Sequence, residues 1–289
     1  MQNDHSGWGR KWPAPAKLNL MLRIVGRRPD GYHLLQTVFQ FVELSDMISF
    51  YPSDNGLVTR LNTLVGVPEQ DDLMVRAANL LKSETGCALG VKIEIDKHIP
   101  MGGGLGGGSS DAATVLVILN KLWDLNLSKE TLMQLGLRLG ADVPIFVYGH
   151  AAWAEGVGEK VVNIYPKEQW VVLIKPECHV NTAEIFSTNE LTRDSESITI
   201  SDFMAGQQRN DCLDVVCQKY PSVKRALAEL SKYSEAKLTG TGACVFAQFD
   251  SEESAVRAFQ SIAITEIGEV FLTKSVNESP LLFELGNEC

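Results

Sequence analysis

Between Ile99 and Ala113 the chain reads Ile-Pro-Met-Gly-Gly-Gly-Leu-Gly-Gly-Gly-Ser-Ser-Asp-Ala-Ala. Before it, Val91-Lys92-Ile93-Glu94-Ile95 alternates apolar and polar side chains, the period of a strand with one buried face. After it, Ala112, Val115, Leu116, Leu119 and Leu122 recur at helical spacing. Ser109 or Ser110 is expected to cap that helix, with Asp111 in its first turn, where a carboxylate suits the dipole. The order is strand, glycine loop, helix N-terminus. Glycines let the backbone bend and approach a ligand closely, and the free N–H groups at a positive helix end make an anion site. A phosphate group fits it best.

A flexible linker also contains glycines, but it is usually polar and has no apolar helix directly behind it. The P-loop needs Gly-Lys followed by Ser or Thr, and no Gly-Lys pair occurs in this chain. Gly102, Gly104 and Gly107 match G-x-G-x-x-G, but that dinucleotide pattern belongs at the head of a βαβ unit. Here the glycines lie a third of the way along, separated from their strand by Pro100 and Met101.

The remaining composition narrows the function class. A 289-residue chain with 45% hydrophobic and 21% charged residues is that of a globular protein of two ordinary domains. A net charge of −10 argues against nucleic acid or an anionic membrane as partner. An anionic substrate must then be held by locally placed cations and backbone amides. Six cysteines are scattered without C-x-x-C or zinc spacing, which suits reduced thiols. The N-terminus has no apolar signal segment and no stretch is long enough to span a bilayer, so a cytoplasmic location is expected. No residue stands out as a metal ligand.

The loop resembles the phosphate loop of the GHMP kinases, the superfamily of galactokinase, homoserine kinase, mevalonate kinase and phosphomevalonate kinase. Pro100, Gly104, Leu105, Gly106, Ser109 and Ser110 fit its pattern, Pro-x-x-x-Gly-Leu-Gly-Ser-Ser-Ala, in a version enlarged by Gly102, Gly103, Gly107 and Gly108. Three further stretches resemble the superfamily in order: Pro15-Ala16-Lys17-Leu18-Asn19, Leu139-Gly140-Ala141-Asp142-Val143-Pro144, and Thr239-Gly240-Thr241-Gly242. On residue type alone, Lys17 reads as a solvated strand residue and Asp142 as a turn former before Val-Pro. The resemblance instead implies a catalytic pair, Asp142 taking the proton of the attacking hydroxyl and Lys17 neutralising developing charge.

One branch of the superfamily acts on an alcohol that carries a cytidine diphosphate group, and Asp30-Gly31-Tyr32-His33 resembles its base-binding loop. The resemblance implies that Tyr32 stacks on cytosine and that His33 contacts it. A flat base offers a π face to an aromatic ring. Phe186, otherwise a core residue, resembles the second stacking aromatic, behind a helix capped by Asn181 or Thr182. Asn19, Thr182, Gly240, Thr241 and Gly242 complete the implied substrate site. Near the adenine the resemblance places Lys97 and Asp72. The relatives usually have asparagine at the latter position, whereas ionised aspartate offers acceptors only.

The resemblance therefore implies an α+β fold of two domains: a ribosomal-S5-like N-terminal domain over residues 1–165, and a C-terminal sheet-and-helix domain over 166–289. It implies ATP with Mg²⁺, the γ-phosphoryl passing to the 2-hydroxyl of a methylerythritol bearing cytidine diphosphate, in the non-mevalonate route to isoprenoid precursors. A sibling kinase for homoserine or mevalonate would keep the loop but have no use for Tyr32-His33. A non-catalytic nucleotide-binding protein would keep the loop without Lys17 and Asp142.

Local signals predict the rest. Strands are expected over Leu34–Ser45 paired with Met47–Tyr51, over 151–164, 170–175 and 270–274. Helices are expected over 71–85, 128–139, 209–232 with a break at Pro221, and 254–262.

Overall fold

In a computed structural model of the chain, described over residues 7–28, 33–156, 158 and 160–286, two long strands form the spine. These are β1 (Lys11–Arg27) and β2 (His33–Ser53), paired antiparallel along their length. The register shifts between Pro15 and Lys17 and again between Asn19 and Met21. Such irregularities re-aim side chains, and here they bracket Lys17 and Asn19.

The segments Leu34–Ser45 and Met47–Tyr51 are thus one strand paired to β1, not a pair with each other. The polar Ser45-Asp46 step reads locally as a turn. Asp46 is instead fully buried, its Oδ1 accepting from the backbone N–H groups of His98 and Ile99 at 2.6 and 2.8 Å. That contact keeps the strand continuous.

The chain continues through β3 (Val58–Arg60), α1 (Leu73–Thr85) and β4 (Gly90–Asp96) to the glycine loop. Beyond it come α2 (Gly107–Leu122), α3 (Lys129–Leu139) and α4 (Val143–Tyr148). Ser128 caps α3 by accepting from Thr131 N–H, and Gly140 ends it. These helices cover one face of the sheet around Trp12, Phe41, Phe50, Leu81, Ile93 and Leu116.

Strands β5 (Ala152–Gly156), β6 (Lys160–Asn163) and β7 (Trp170–Lys175) follow, then the short helices α5 (Thr182–Ser187) and α6 (Ile200–Met204). Helices α7 (Leu213–Lys219) and α8 (Pro221–Leu230) divide at Pro221, which occupies the first turn of α8. Next come β8 (Ala236–Leu238), β9 (Val245–Phe249), α9 (Glu252–Ala263), β10 (Glu269–Val276) and α10 (Pro280–Gly286). A second core, with Ile174, Val216, Leu230, Val245 and Ile262, lies under this half.

The two halves share one sheet, ordered β3-β4-β2-β10-β7-β9-β8, with β1 and β5 also on β2 and β6 on β5. Strand β10 is the seam: it pairs with β7 through most of its length and with β2 at Ser275 and Val276. A third core of Leu18, Met21, Val42, Leu105, Leu173 and Phe246 fills the space behind that seam. Among the described residues no helix is long and apolar enough to cross a membrane.

Candidate active site

The glycine loop leaves β4 and enters α2 at Gly107, so neither Ser109 nor Ser110 caps that helix and Asp111 falls in its second turn. The N-cap is Gly106, with φ of 75°. A side chain there would be strained, and its Cβ would lie 2.7 Å from the Phe146 ring and 3.2 Å from Lys17 Cε. Gly104, φ 76°, would place a Cβ 2.6 Å from the Thr239 carbonyl. The loop is this tight because the 239–244 turn clamps it. Cys244 N–H donates to Gly103 O at 3.0 Å, and Lys17 N–H donates to Leu105 O at 3.0 Å.

Lys17 is buried. Its ammonium donates to Asn19 Oδ1 at 2.6 Å and to Gly104 O at 3.0 Å, and stands 3.4 Å from Asp142 Oδ2. Asn19 is held in turn by Thr37, whose Oγ1 accepts from Asn19 Nδ2 at 2.8 Å and donates to Met21 O at 2.6 Å. Asp142 precedes α4 with its side chain 39% exposed and makes no capping bond to the helix. The ammonium is therefore fixed by its neighbours, while the carboxylate faces open space.

Two clefts meet at this pair. One, of about 460 Å³, is lined by the loop from Pro100 to Ser109, Met101 included, with Asp72, Lys97 and Asp142. The other, of about 310 Å³, is lined by Lys17, Asn19, Thr182, Phe186, Gly240 and Thr241. Gly104, Ser109 and Asp142 belong to both. Residues from all four of the singled-out stretches thus come together in one continuous trough, which Ser110 and Gly242 do not line.

Some expected residues sit differently. Asp72 caps α1 by accepting from Met74 N–H at 2.7 Å, and its Oδ2 pairs with Arg60 at 2.5 Å, both side chains buried. Its two oxygens are thus engaged inside the protein. Lys97 bridges Asp46 and Asp111, the latter at 2.8 Å. Gly242 turns its back on the trough: a Cβ there would meet Leu238 and Val216 of the second core. His33 lies ring to ring with Phe186, centroids 5.0 Å apart, and Tyr32 falls outside the described residues. Thr37, Phe39 and Thr239 also serve the site; nothing in their residue type distinguishes them from ordinary strand residues.

The electrostatics centre on the buried cluster beneath the loop. Burial pushes the Asp111 carboxyl up to about 8; Lys97 opposes the rise and the Asp46 carboxylate adds to it. The same two carboxylates hold Lys97 above its ordinary value in spite of its own burial. Asp111 Oδ1 and Ser110 Oγ are buried without a hydrogen-bond partner.

A glycine loop at a helix N-terminus, joined to a second cleft across a Lys–Asp pair on this fold, is the arrangement of a small-molecule phosphotransferase of the GHMP kinase class. Residues 72–150 match the N-terminal domain model of the GHMP kinases and residues 196–265 their C-terminal model. The chain is 54% identical over 277 residues to the 4-diphosphocytidyl-2-C-methyl-D-erythritol kinase of Methylococcus capsulatus, covering 96% of this chain and 94% of that one. It is 51% identical over 281 residues to the kinase of the same name from Alkalilimnicola ehrlichii, covering 97% and 96%. The chain belongs to the 4-diphosphocytidyl-2-C-methyl-D-erythritol kinase family. A crystal structure of 4-(cytidine 5'-diphospho)-2C-methyl-D-erythritol kinase superposes with a TM-score of 0.79 at 29% identity, over 92% of this chain and 98% of that one. The Methanococcus jannaschii mevalonate kinase shares the fold, with a TM-score of 0.67 at 16% identity, over 94% of this chain and 99% of the other.

Proposed function

We propose that this protein transfers the γ-phosphoryl group of ATP to the 2-hydroxyl of 4-diphosphocytidyl-2-C-methyl-D-erythritol, in the non-mevalonate route to isoprenoid precursors. The observation that carries the reading is the placement of Asp142 where the two clefts join, 3.4 Å from a buried ammonium. Phosphoryl transfer needs positioning and charge stabilisation rather than a covalent intermediate. The loop amides from Gly102 to Ser109 hold the phosphates, and Asp142 Oδ2 orients the acceptor hydroxyl and takes its proton. The hydroxyl oxygen bonds to the γ-phosphorus as the bond to the β-phosphate oxygen breaks, and ADP leaves. Lys17, held in place by Asn19 and Gly104, offsets the negative charge that spreads over the transferring group.

Ser110 Oγ, buried without a hydrogen-bond partner one residue beyond the cleft-lining Ser109, is the oxygen that would hold a phosphate-bound Mg²⁺. Among the described residues no cluster of three His, Cys, Asp or Glu is placed to hold a metal unaided. One protein oxygen supplemented by phosphate oxygens and water is the form in which Mg²⁺ commonly binds. When bound, Mg²⁺ offsets charge between the β- and γ-phosphates.

Incubation with ATP, Mg²⁺ and each of three alcohols tests the reading. ADP release with 4-diphosphocytidyl-2-C-methyl-D-erythritol alone is expected. Release with homoserine or mevalonate instead, or with none of the three, overturns it.

A further inference from the structure

Behind Phe186 the loop between α5 and α6 carries Arg193, a residue with no motif to mark it. All five of its N–H donors are engaged. The two terminal nitrogens donate to the carbonyls of Phe186 and Thr188, at 3.0 and 2.6 Å, and of Leu191 and Asn189, at 3.1 and 3.5 Å. The fifth, Nε–H, points at His33 Nε2 at 3.3 Å. One planar guanidinium thus ties the end of the helix that carries Phe186 to the ring that lies against Phe186.

The direction of that last bond has a chemical consequence. A guanidinium donates and never accepts, so Nε2 of His33 must present its lone pair. The imidazole is then neutral, with its single proton on Nδ1. Burial, then the positive charges of Arg193 and Arg27, hold His33 below its ordinary value of 6.5, which also favours the neutral ring. The ring is thereby a donor of fixed identity, held against Phe186, which lines the second cleft. A pyrimidine edge can meet such a donor only with an acceptor. Both pyrimidines offer O2, so the discrimination lies at position 3, where cytosine presents a lone pair to an N–H donor and uracil presents a proton of its own.

We infer that Arg193 is the positioning residue of the base subsite, fixing His33 as a neutral Nδ1–H donor against Phe186 and so making the site prefer cytidine over uridine nucleotides. This rests on the reading of Phe186 and His33 as the base-binding pair given above. Arg193 touches no reacting atom. It acts through the tautomer and orientation of its neighbour, as a partner on the far nitrogen of a histidine does elsewhere.

The test uses the full chain and two probes, CDP and UDP, titrated calorimetrically without turnover. Nitrogen-15 spectra of the histidine rings run alongside, with His33→Asn identifying the His33 signal. The wild type is expected to show His33 as the neutral Nδ1–H tautomer at pH 7. It is also expected to bind CDP more tightly than UDP. Arg193→Met should lower the CDP-to-UDP affinity ratio about tenfold, the worth of one oriented hydrogen bond, with ATP affinity unchanged. In the His33→Asn background the same substitution should change the ratio no further. An Nε2–H or doubly protonated ring in the wild type overturns the inference, as does an Arg193→Met protein with the wild-type ratio. Should Arg193→Met fail to fold, the wild-type tautomer decides, together with Arg193→Lys, whose ammonium cannot reproduce the fork and is expected to lower the ratio. Failure of the wild type to phosphorylate the cytidine diphosphate alcohol would remove the functional reading; the ring tautomer and the CDP-to-UDP ratio would still decide the role of Arg193.

Discussion

Lys17 Nζ and Asp142 Oδ2 stand 3.4 Å apart, one side chain 3% exposed and the other 39%. The pair is asymmetric: the cation is anchored by Asn19 and Gly104, and the carboxylate is left to face a ligand. Asp142→Asn keeps the size of the side chain but removes its capacity to take a proton. It is expected to lower kcat by a factor of order 10² to 10⁴ with ATP affinity nearly unchanged. Turnover within a few-fold of wild type would remove Asp142 from the mechanism.

Phe186 lines the cleft proposed for the acceptor and packs on His33. If it stacks on the base, Phe186→Ala should weaken binding of the cytidine diphosphate substrate by about 1–3 kcal/mol and leave ATP untouched. Calorimetry with both ligands separates the cases, since an equal loss for both would mean that the substitution had only loosened the fold.

Asp72 has one oxygen on the first turn of α1 and the other on buried Arg60. With the carboxylate so engaged, Asp72→Asn is expected to leave the ratio of KM values for ATP and GTP unchanged. It should instead lower stability by about 3 kcal/mol, because Arg60 is left without its counter-charge in a buried site. Urea unfolding and the two KM values check it; relaxed discrimination against GTP would show that Asp72 reads the purine after all.

Asp111 gives a pH signature. Its carboxyl sits at about 8 in the folded protein against an ordinary 3.8, so the folded state holds a proton that the unfolded chain has released. Its contribution to stability is complete below the unfolded value and is lost as pH rises through about 8. Urea midpoints of the wild type should therefore fall between about pH 4 and pH 8, the interval in which only the folded state holds the proton, and level off above it. Asp111→Asn, which cannot titrate, should show a shallower fall; equal slopes in the two proteins would take Asp111 out of the account.

What could be read from the chain and what could not divide along a physical line. Features written within a few residues were legible: the strand–glycine–helix order around Gly104, the cap-to-cap helix from Ser128 to Gly140, the break at Pro221. Features that depend on a distant partner were not. Asp46 looks like a turn residue until His98 and Ile99 supply its hydrogen bonds. The helix after the loop starts ahead of both serines, with a glycine N-cap hemmed in by Phe146 and Lys17 from other elements. Asp72 and Lys97 appeared free to read a base because Arg60, Asp46 and Asp111 are remote or unremarkable in sequence. Arg193 sits in a polar stretch without periodicity, and only the fold reveals that its donors converge on Phe186 and His33.

The seam between β2 and β10 bears on how this protein is made. Val42 and Phe41 leave the ribosome early, and their strand partners Ser275 and Val276 leave more than two hundred residues later. Until then the middle of β2 has an unpaired edge and the third core lacks a wall. Contacts of such long separation form slowly, and exposed strand edges invite other chains meanwhile. The turn that clamps the glycine loop, through Cys244 to Gly103, is also synthesised late. A nascent chain therefore carries the whole glycine-loop sequence for much of its synthesis before the turn that fixes the loop's shape exists.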